Sequence, residues 1–218
     1  MARLIFDLDG TLLDSAPSLA AAGNRLLSDL GRPPVDVATY TRFVGRGMTA
    51  QVEQLLEATG GVPGALAPHL DRFLDHYNRD PVSRTVAFPG VVDALARLRL
   101  DNRIGVATQK PEAAARHVLS AFGLAPMIEA VTGGDTVGRL KPDPEMLHHT
   151  AAQLGSGPIL FIGDSGVDRE TAQRAEVPFI LHENGYRAAS IAELAPEASF
   201  AHFDNLLQVI ATLLPATA

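Results

Sequence analysis

The chain has 218 residues, a formal net charge of −7, 46% hydrophobic and 20% charged residues, and no cysteine. That is enough for one sizeable core carrying a smaller insertion, in a globular rather than disordered balance. The acidic charge argues against a nucleic-acid footprint, the missing cysteines exclude disulfides and thiolate metal sites, and no apolar run approaches the roughly 20 residues of a membrane span.

The first residues, Met-Ala-Arg-Leu-Ile-Phe-Asp, hold too short an apolar stretch for a signal peptide, so the expected compartment is the cytoplasm. Residues 3–6 read as a strand ending in Asp7-Leu8-Asp9-Gly10-Thr11. From residue 15 to about 80 no strand pattern occurs; residues 17–30, 48–58 and 68–78 read as helices, the first two closed by Gly31 and by Gly60-Gly61. Helix and strand then alternate: helix 91–100, strand 103–107, helix 112–122, strand 127–132, helix 144–154, strand 158–162, helix 168–175 and strand 177–181. An amphipathic helix over 204–214 closes the chain. This order predicts an α/β fold, a doubly wound and mostly parallel sheet. Residues 1–14 and 82–218 form its core, and residues 15–81 form a helical cap inserted after the first strand.

Open parallel sheets bind ligands beyond the carboxyl ends of their strands. The first strand there carries Asp7 and Asp9, the second Thr108-Gln109-Lys110, and the fourth Gly163-Asp164-Ser165-Gly166-Val167-Asp168. Residues two apart on a strand share a face, so Asp7 and Asp9 point into one space. Alone, the pair reads equally well as a solvated Asp-Gly turn. Asp164 on the same rim weighs against that, because like charges about 4 Å apart repel by roughly 4 kcal/mol at an effective dielectric of 20. A hard divalent cation such as Mg²⁺, with oxygen ligands, relieves the repulsion. Of the 18 basic residues only Lys110 and Lys141 are lysines, and both fall in these segments.

Asp7 to Ser15, Thr108 with Lys110-Pro111, Gly138-Arg139-Leu140-Lys141-Pro142-Asp143-Pro144, and Gly163 to Asp168 resemble, in order, the four motifs of the haloacid dehalogenase superfamily. The resemblance implies a Rossmann-like core and a fixed set of roles. Asp7 is the nucleophile and forms an aspartyl-phosphate. Asp9 protonates the leaving oxygen and then takes a proton from water. Mg²⁺ is held by Asp7, the backbone carbonyl of Asp9, and Asp164, while Asp168 orients a metal-bound water. Thr108 and the backbone at Gln109 hold phosphate oxygens, and Lys141 neutralises the reacting groups. Gln109 stands where the family often has Asn, which leaves any contact of that side chain open.

Phe43-Val44-Gly45-Arg46-Gly47, His76-Tyr77-Asn78, Phe88-Pro89-Gly90-Val91 and Gly185-Tyr186 resemble the phosphoglycolate phosphatase branch of that family. This implies 2-phosphoglycolate as substrate, with Gly45 and Arg46 near its carboxylate. Within the family Asp9 favours phosphoryl transfer over dehalogenation, and the lysine-free cap disfavours a phosphonatase. Phosphatases of sugar phosphates, nucleotides or pyrophosphate, and a sugar phosphomutase, remain alternatives. So does a receiver-type signalling domain, against which the insertion and the Asp7-x-Asp9 spacing argue. The expected protein is a monomer or homodimer acting on a small phosphorylated substrate, without nucleic-acid or membrane partners. His148 and His149 are helix neighbours pointing about 100° apart and cannot chelate together.

Overall fold

The computed structural model describes residues 1–214. In chain order it comprises β1 (Ala2–Phe6), the two-residue β2 (Leu13–Asp14), α1 (Ala16–Asp29), α2 (Val37–Thr41), α3 (Met48–Ala58) and α4 (Ala67–Arg79). There follow β3 (Val86–Ala87), α5 (Val91–Leu98), β4 (Asn102–Ala107), α6 (Glu112–Ala121), β5 (Ala130–Thr132) and α7 (Glu145–Gln153). The chain continues through β6 (Ile159–Gly163), α8 (Gly166–Arg174), β7 (Phe179–His182), α9 (Ile191–Leu194), β8 (Ala198–Phe200) and α10 (Leu206–Leu213).

Among the described residues six strands form one parallel sheet in the order β5-β4-β1-β6-β7-β8. β1 lies inside it, with Ile5 opposite both Gly105 and Phe161. Its side chains alternate between two buried layers, as the period of two in a strand requires. Leu4 and Phe6 join Val91, Leu95, Val118 and Ile210, whereas Ile5 joins Met146, Leu147 and Ala172. Helices therefore cover both faces, which suits a near-continuous apolar strand.

The order of elements follows the sequence reading, with local differences. The strand expected from residue 127 begins at Ala130, because a 3₁₀ turn over Ala125–Met127 contains Pro126 and occupies its start. A similar turn, Phe203–Asn205, delays the closing helix to Leu206. β8, β2, β3 and α2 are too short to leave a periodic signal. α2 forms where the Asp36 carboxylate accepts a hydrogen bond from the Thr39 backbone N–H at 2.7 Å, a helix N-cap.

β2 and β3 pair antiparallel, with Leu13 opposite Ala87 and Asp14 opposite Val86. The segment carrying α1 to α4 thus leaves and rejoins the sheet at one point. Those helices bury an apolar cluster of their own, with Leu19, Leu26, Tyr40, Val52, Leu55, Phe73 and Tyr77 at its centre. No described helix is long and apolar enough to cross a membrane.

Gly23 in α1 is the tight point of this cluster. A methyl group there would lie 2.5 Å from the Tyr40 ring and 2.9 Å from Leu55. Gly23→Ala should therefore destabilise the protein by about 1–3 kcal/mol through overpacking, although alanine is the better helix former. Thermal unfolding checks this; a raised melting temperature would mean the contact is looser than described.

Candidate active site

The end of β1 sets the site. After Asp7 the chain turns back, and the Leu8 carbonyl accepts hydrogen bonds from the N–H groups of Leu12 and Leu13 at 2.9 and 3.0 Å. Gly10 takes φ = +90°, and a side chain there would collide with the Asp164 carboxylate and the Tyr186 ring. Beneath the turn, His182 lies 3.0 Å through Nδ1 from the Gly10 carbonyl and packs among Phe88, Phe200 and Phe203. Burial lowers its pKa, so the ring stays neutral and Nδ1–H donates.

Three buried aspartates converge beside this turn. One carboxylate oxygen from each of Asp7, Asp164 and Asp168 lies within 4.8 Å of the others. Lys141 Nζ stands between two of them, 2.9 Å from Asp7 and 2.6 Å from Asp168, with its side chain 2% exposed. Burial pulls its ammonium down, but Asp168 and Asp7 outweigh that and hold it above the ordinary lysine value. Asp168 also closes a capping box at the start of α8: its carboxylate accepts from Ser165 Oγ at 2.6 Å and from the Ser165 N–H at 3.1 Å. Asp164 accepts from Thr11 Oγ1 at 3.0 Å and from the Tyr186 N–H at 2.6 Å.

One ammonium does not balance three carboxylates. Burial pushes Asp7 up to about 7 against the pull of Lys141. Burial, with Asp168 and Asp7 as neighbours, raises Asp164 well above its usual range. A buried, all-oxygen donor set with surplus negative charge fits a hard divalent cation.

Asp9 has other partners. Ser15 Oγ donates to one of its oxygens at 2.5 Å, and Lys110 Nζ lies 3.0 Å from the other. Lys110 also donates to the Tyr77 hydroxyl of α4 at 2.9 Å. Burial works against its charge, yet Asp9 and Tyr77 hold its pKa above the ordinary value.

Asp7, Asp9, Thr108, Gln109, Lys110 and Lys141 line one cavity, roofed by Val44, Gly45, Gly47, Met48 and Gln51. The free space is about 20 Å³, close to what one water needs. Gln109 reaches across it, donating from Nε2 to the Gly45 carbonyl at 2.5 Å, while its Oε1 is buried without a partner among the described residues. The longer side chain thus ties the end of β4 to the loop between α2 and α3.

Of the expected site residues, Asp7, Asp9, Gly45, Thr108, Gln109 and Lys141 meet at this cavity, with Asp164 and Asp168 beside Asp7. Arg46 does not join them. Gly45 and Gly47 take φ of +114° and +86°, and the loop presents these glycines to the cavity while Arg46 stays exposed. Arg46 lines instead a wider cleft of about 850 Å³, with Arg42, Glu170 and Tyr186. Sequence reasoning left Lys110, Tyr77 and Gln51 out of the site. Lys110 stood in the second motif and Tyr77 in the His76-Tyr77-Asn78 segment without a role for either side chain, and Gln51 is an ordinary helix residue in sequence.

A family described as haloacid dehalogenase-like hydrolase matches residues 4–182. The chain belongs to the haloacid dehalogenase-like hydrolase family. It is 41% identical over 217 residues to a phosphoglycolate phosphatase of Cereibacter sphaeroides, covering 98% of this chain and 100% of that protein. A phosphoglycolate phosphatase of Rhodospirillum rubrum is 38% identical over 93% of this chain and 88% of its own length. Among solved structures, a predicted phosphoglycolate phosphatase from Haemophilus somnus superposes with a TM-score of 0.89 at 25% identity, over 95% of this chain and 96% of its own. A predicted phosphatase from Clostridium acetobutylicum shares the fold, with a TM-score of 0.84 at 21% identity over 96% and 98%.

The charge surplus has a pH signature. Asp7 and Asp164 hold folded-state pKa values above the ordinary 3.8, so the folded chain binds protons more tightly than the unfolded one. Metal-free protein should therefore lose stability as pH rises from about 4 through 7. Chelator-treated protein should show a falling melting temperature across that window. Asp164→Asn should flatten the fall; an unchanged slope would show that Asp164 does not contribute to it.

Proposed function

We propose that this protein is a magnesium-dependent phosphatase that hydrolyses 2-phosphoglycolate through an aspartyl-phosphate on Asp7. The observation that carries the reading is the contact of Lys141 with Asp7 and Asp168 beside Asp164, with Asp9 held apart on its own lysine. Asp7, Asp164 and the Asp9 carbonyl would hold Mg²⁺, which would supply positive charge to offset that of the phosphate.

The chain's residues divide the remaining work. Thr108 and the Gln109 backbone hold phosphate oxygens over Asp7. A carboxylate oxygen of Asp7 attacks phosphorus, the bond to the ester oxygen breaks, and Asp9 delivers a proton to that oxygen. Lys141 offsets the charge gathered on Asp7 and the transferring group. Water then attacks the phosphorus of the aspartyl-phosphate, Asp9 takes its proton, and the Asp7–phosphorus bond breaks to release phosphate.

The cavity of about 20 Å³ admits no phosphate ester, so α1 to α4 swing away for entry and close afterwards. Residues 15–81 act as a cap in this reading, hinged at the β2–β3 pair. The substrate preference is supported by the name of the 41% identical Cereibacter relative. The substrate carboxylate would face Gly45, Gly47 and Gln51.

Asp7→Asn should abolish turnover while leaving the fold intact, and so should removal of divalent metal by a chelator. Hydrolysis that survives either change would sink the mechanism. In a panel with Mg²⁺, 2-phosphoglycolate should exceed ethyl phosphate, a hexose phosphate and a nucleoside monophosphate by about tenfold or more in kcat/KM, a margin of about 1.4 kcal/mol. Gln51→Leu should raise KM for 2-phosphoglycolate more than for ethyl phosphate, whereas Arg46→Ala should alter both alike.

A further inference from the structure

Lys110 is a buried cation that these steps leave without a task. Its side chain is fully screened from solvent. Burying an ammonium costs several kcal/mol unless its partners are well placed. Here two partners hold it, Asp9 Oδ2 at 3.0 Å and the Tyr77 hydroxyl at 2.9 Å, and Nζ lies 4.6 Å from the centre of the Tyr77 ring. They belong to different layers of the molecule. Asp9 stands on the rim of the sheet, while Tyr77 belongs to α4, where its ring stacks with Phe73 at 6.4 Å in the cap cluster.

An apolar side chain would fasten the start of α6 to the cap at lower energetic cost. What Lys110 adds is a directional hold on one oxygen of Asp9. The other oxygen takes Ser15 Oγ at 2.5 Å, just before α1. Both oxygens of Asp9 are therefore fixed by groups that lead into the cap, one through α1 and one through Tyr77 to α4.

We propose that Lys110 and Tyr77 are positioning residues that aim the Asp9 carboxyl at the leaving oxygen and tie that aim to the seating of α4 on the core. The inference rests on Asp9 acting as the acid in the scheme above. General acid catalysis matters more as the leaving group becomes more basic. A badly aimed Asp9 therefore slows an ester with a poor leaving group and spares one with a good leaving group. Loss of packing slows both equally.

Ethyl phosphate and 2,2,2-trifluoroethyl phosphate are close in size and release alcohols of different basicity. Their kcat/KM values, measured with Mg²⁺, read the steps through departure of the alcohol. In Asp9→Asn the trifluoroethyl-to-ethyl ratio should rise about 100-fold over the unaltered protein, the scale of a lost general acid. Lys110→Met should raise the ratio about tenfold or more. Tyr77→Phe, which keeps the ring and its stack, should raise it about threefold with an unchanged melting temperature. If Asp9→Asn shifts the ratio but Lys110→Met and Tyr77→Phe lower both esters by one factor, the positioning role is overturned and the acid role of Asp9 stands. If Asp9→Asn itself leaves the ratio unchanged, the acid role fails and the inference falls with it. Should Lys110→Met not fold, the ratio in Tyr77→Phe decides by the same criterion.

Discussion

The ammonium of Lys141 lies between Asp7 and Asp168, and the rim of the sheet is arranged around that contact. Three aspartates in one buried space repel strongly, because water screens them poorly there. Lys141 compensates part of this and leaves a surplus. The surplus is a cost to the metal-free fold and suits the hard cation proposed for this site. Every nearby element serves that balance. Gly10 lets the turn pass against Asp164, Ser165 steadies Asp168 at the head of α8, and Thr11 with the Tyr186 N–H steadies Asp164.

The two lysines sort the carboxylates. Asp7 shares Lys141 with Asp168, whereas Asp9, only two residues on, is held by Lys110 and Ser15. Neighbours on one strand end thus live in different electrostatic surroundings. Distinct environments are what would allow two identical side chains to take the proposed parts of nucleophile and proton carrier.

The sheet and the segment carrying α1 to α4 meet through polar contacts as well as apolar ones. Tyr77 reaches Lys110, Gln109 reaches the Gly45 carbonyl, and the Tyr186 hydroxyl accepts from the N–H groups of Ser15 and Ala16 at 2.8 and 2.9 Å. Polar bonds can be exchanged for bonds to water, so a surface held this way suits the opening proposed for α1 to α4 better than a continuous apolar seam.

The alternating strand and helix patterns, the missing strands between residues 15 and 80, and the Asp7, Asp9, Lys141 and Asp164 segments were all legible in the sequence. Each depends on local periodicity or on spacing along the chain. β8, α2 and the β2–β3 pair were not, since a few residues carry no period. The partner of each charge was equally invisible: that Lys110 serves Asp9 and meets Tyr77, and that Gln109 spans to Gly45, follows from chain segments far apart in sequence. The loop of Gly45, Arg46 and Gly47 is a further case: its glycines, at positive φ, line the cavity, and Arg46 lines the neighbouring cleft, which the motif alone does not say. The sequence alone determined which chemical groups the rim would carry, because strand ends and motifs are local. Only the tertiary structure decided which group each of them faces, because that depends on how α1 to α4 pack against the sheet.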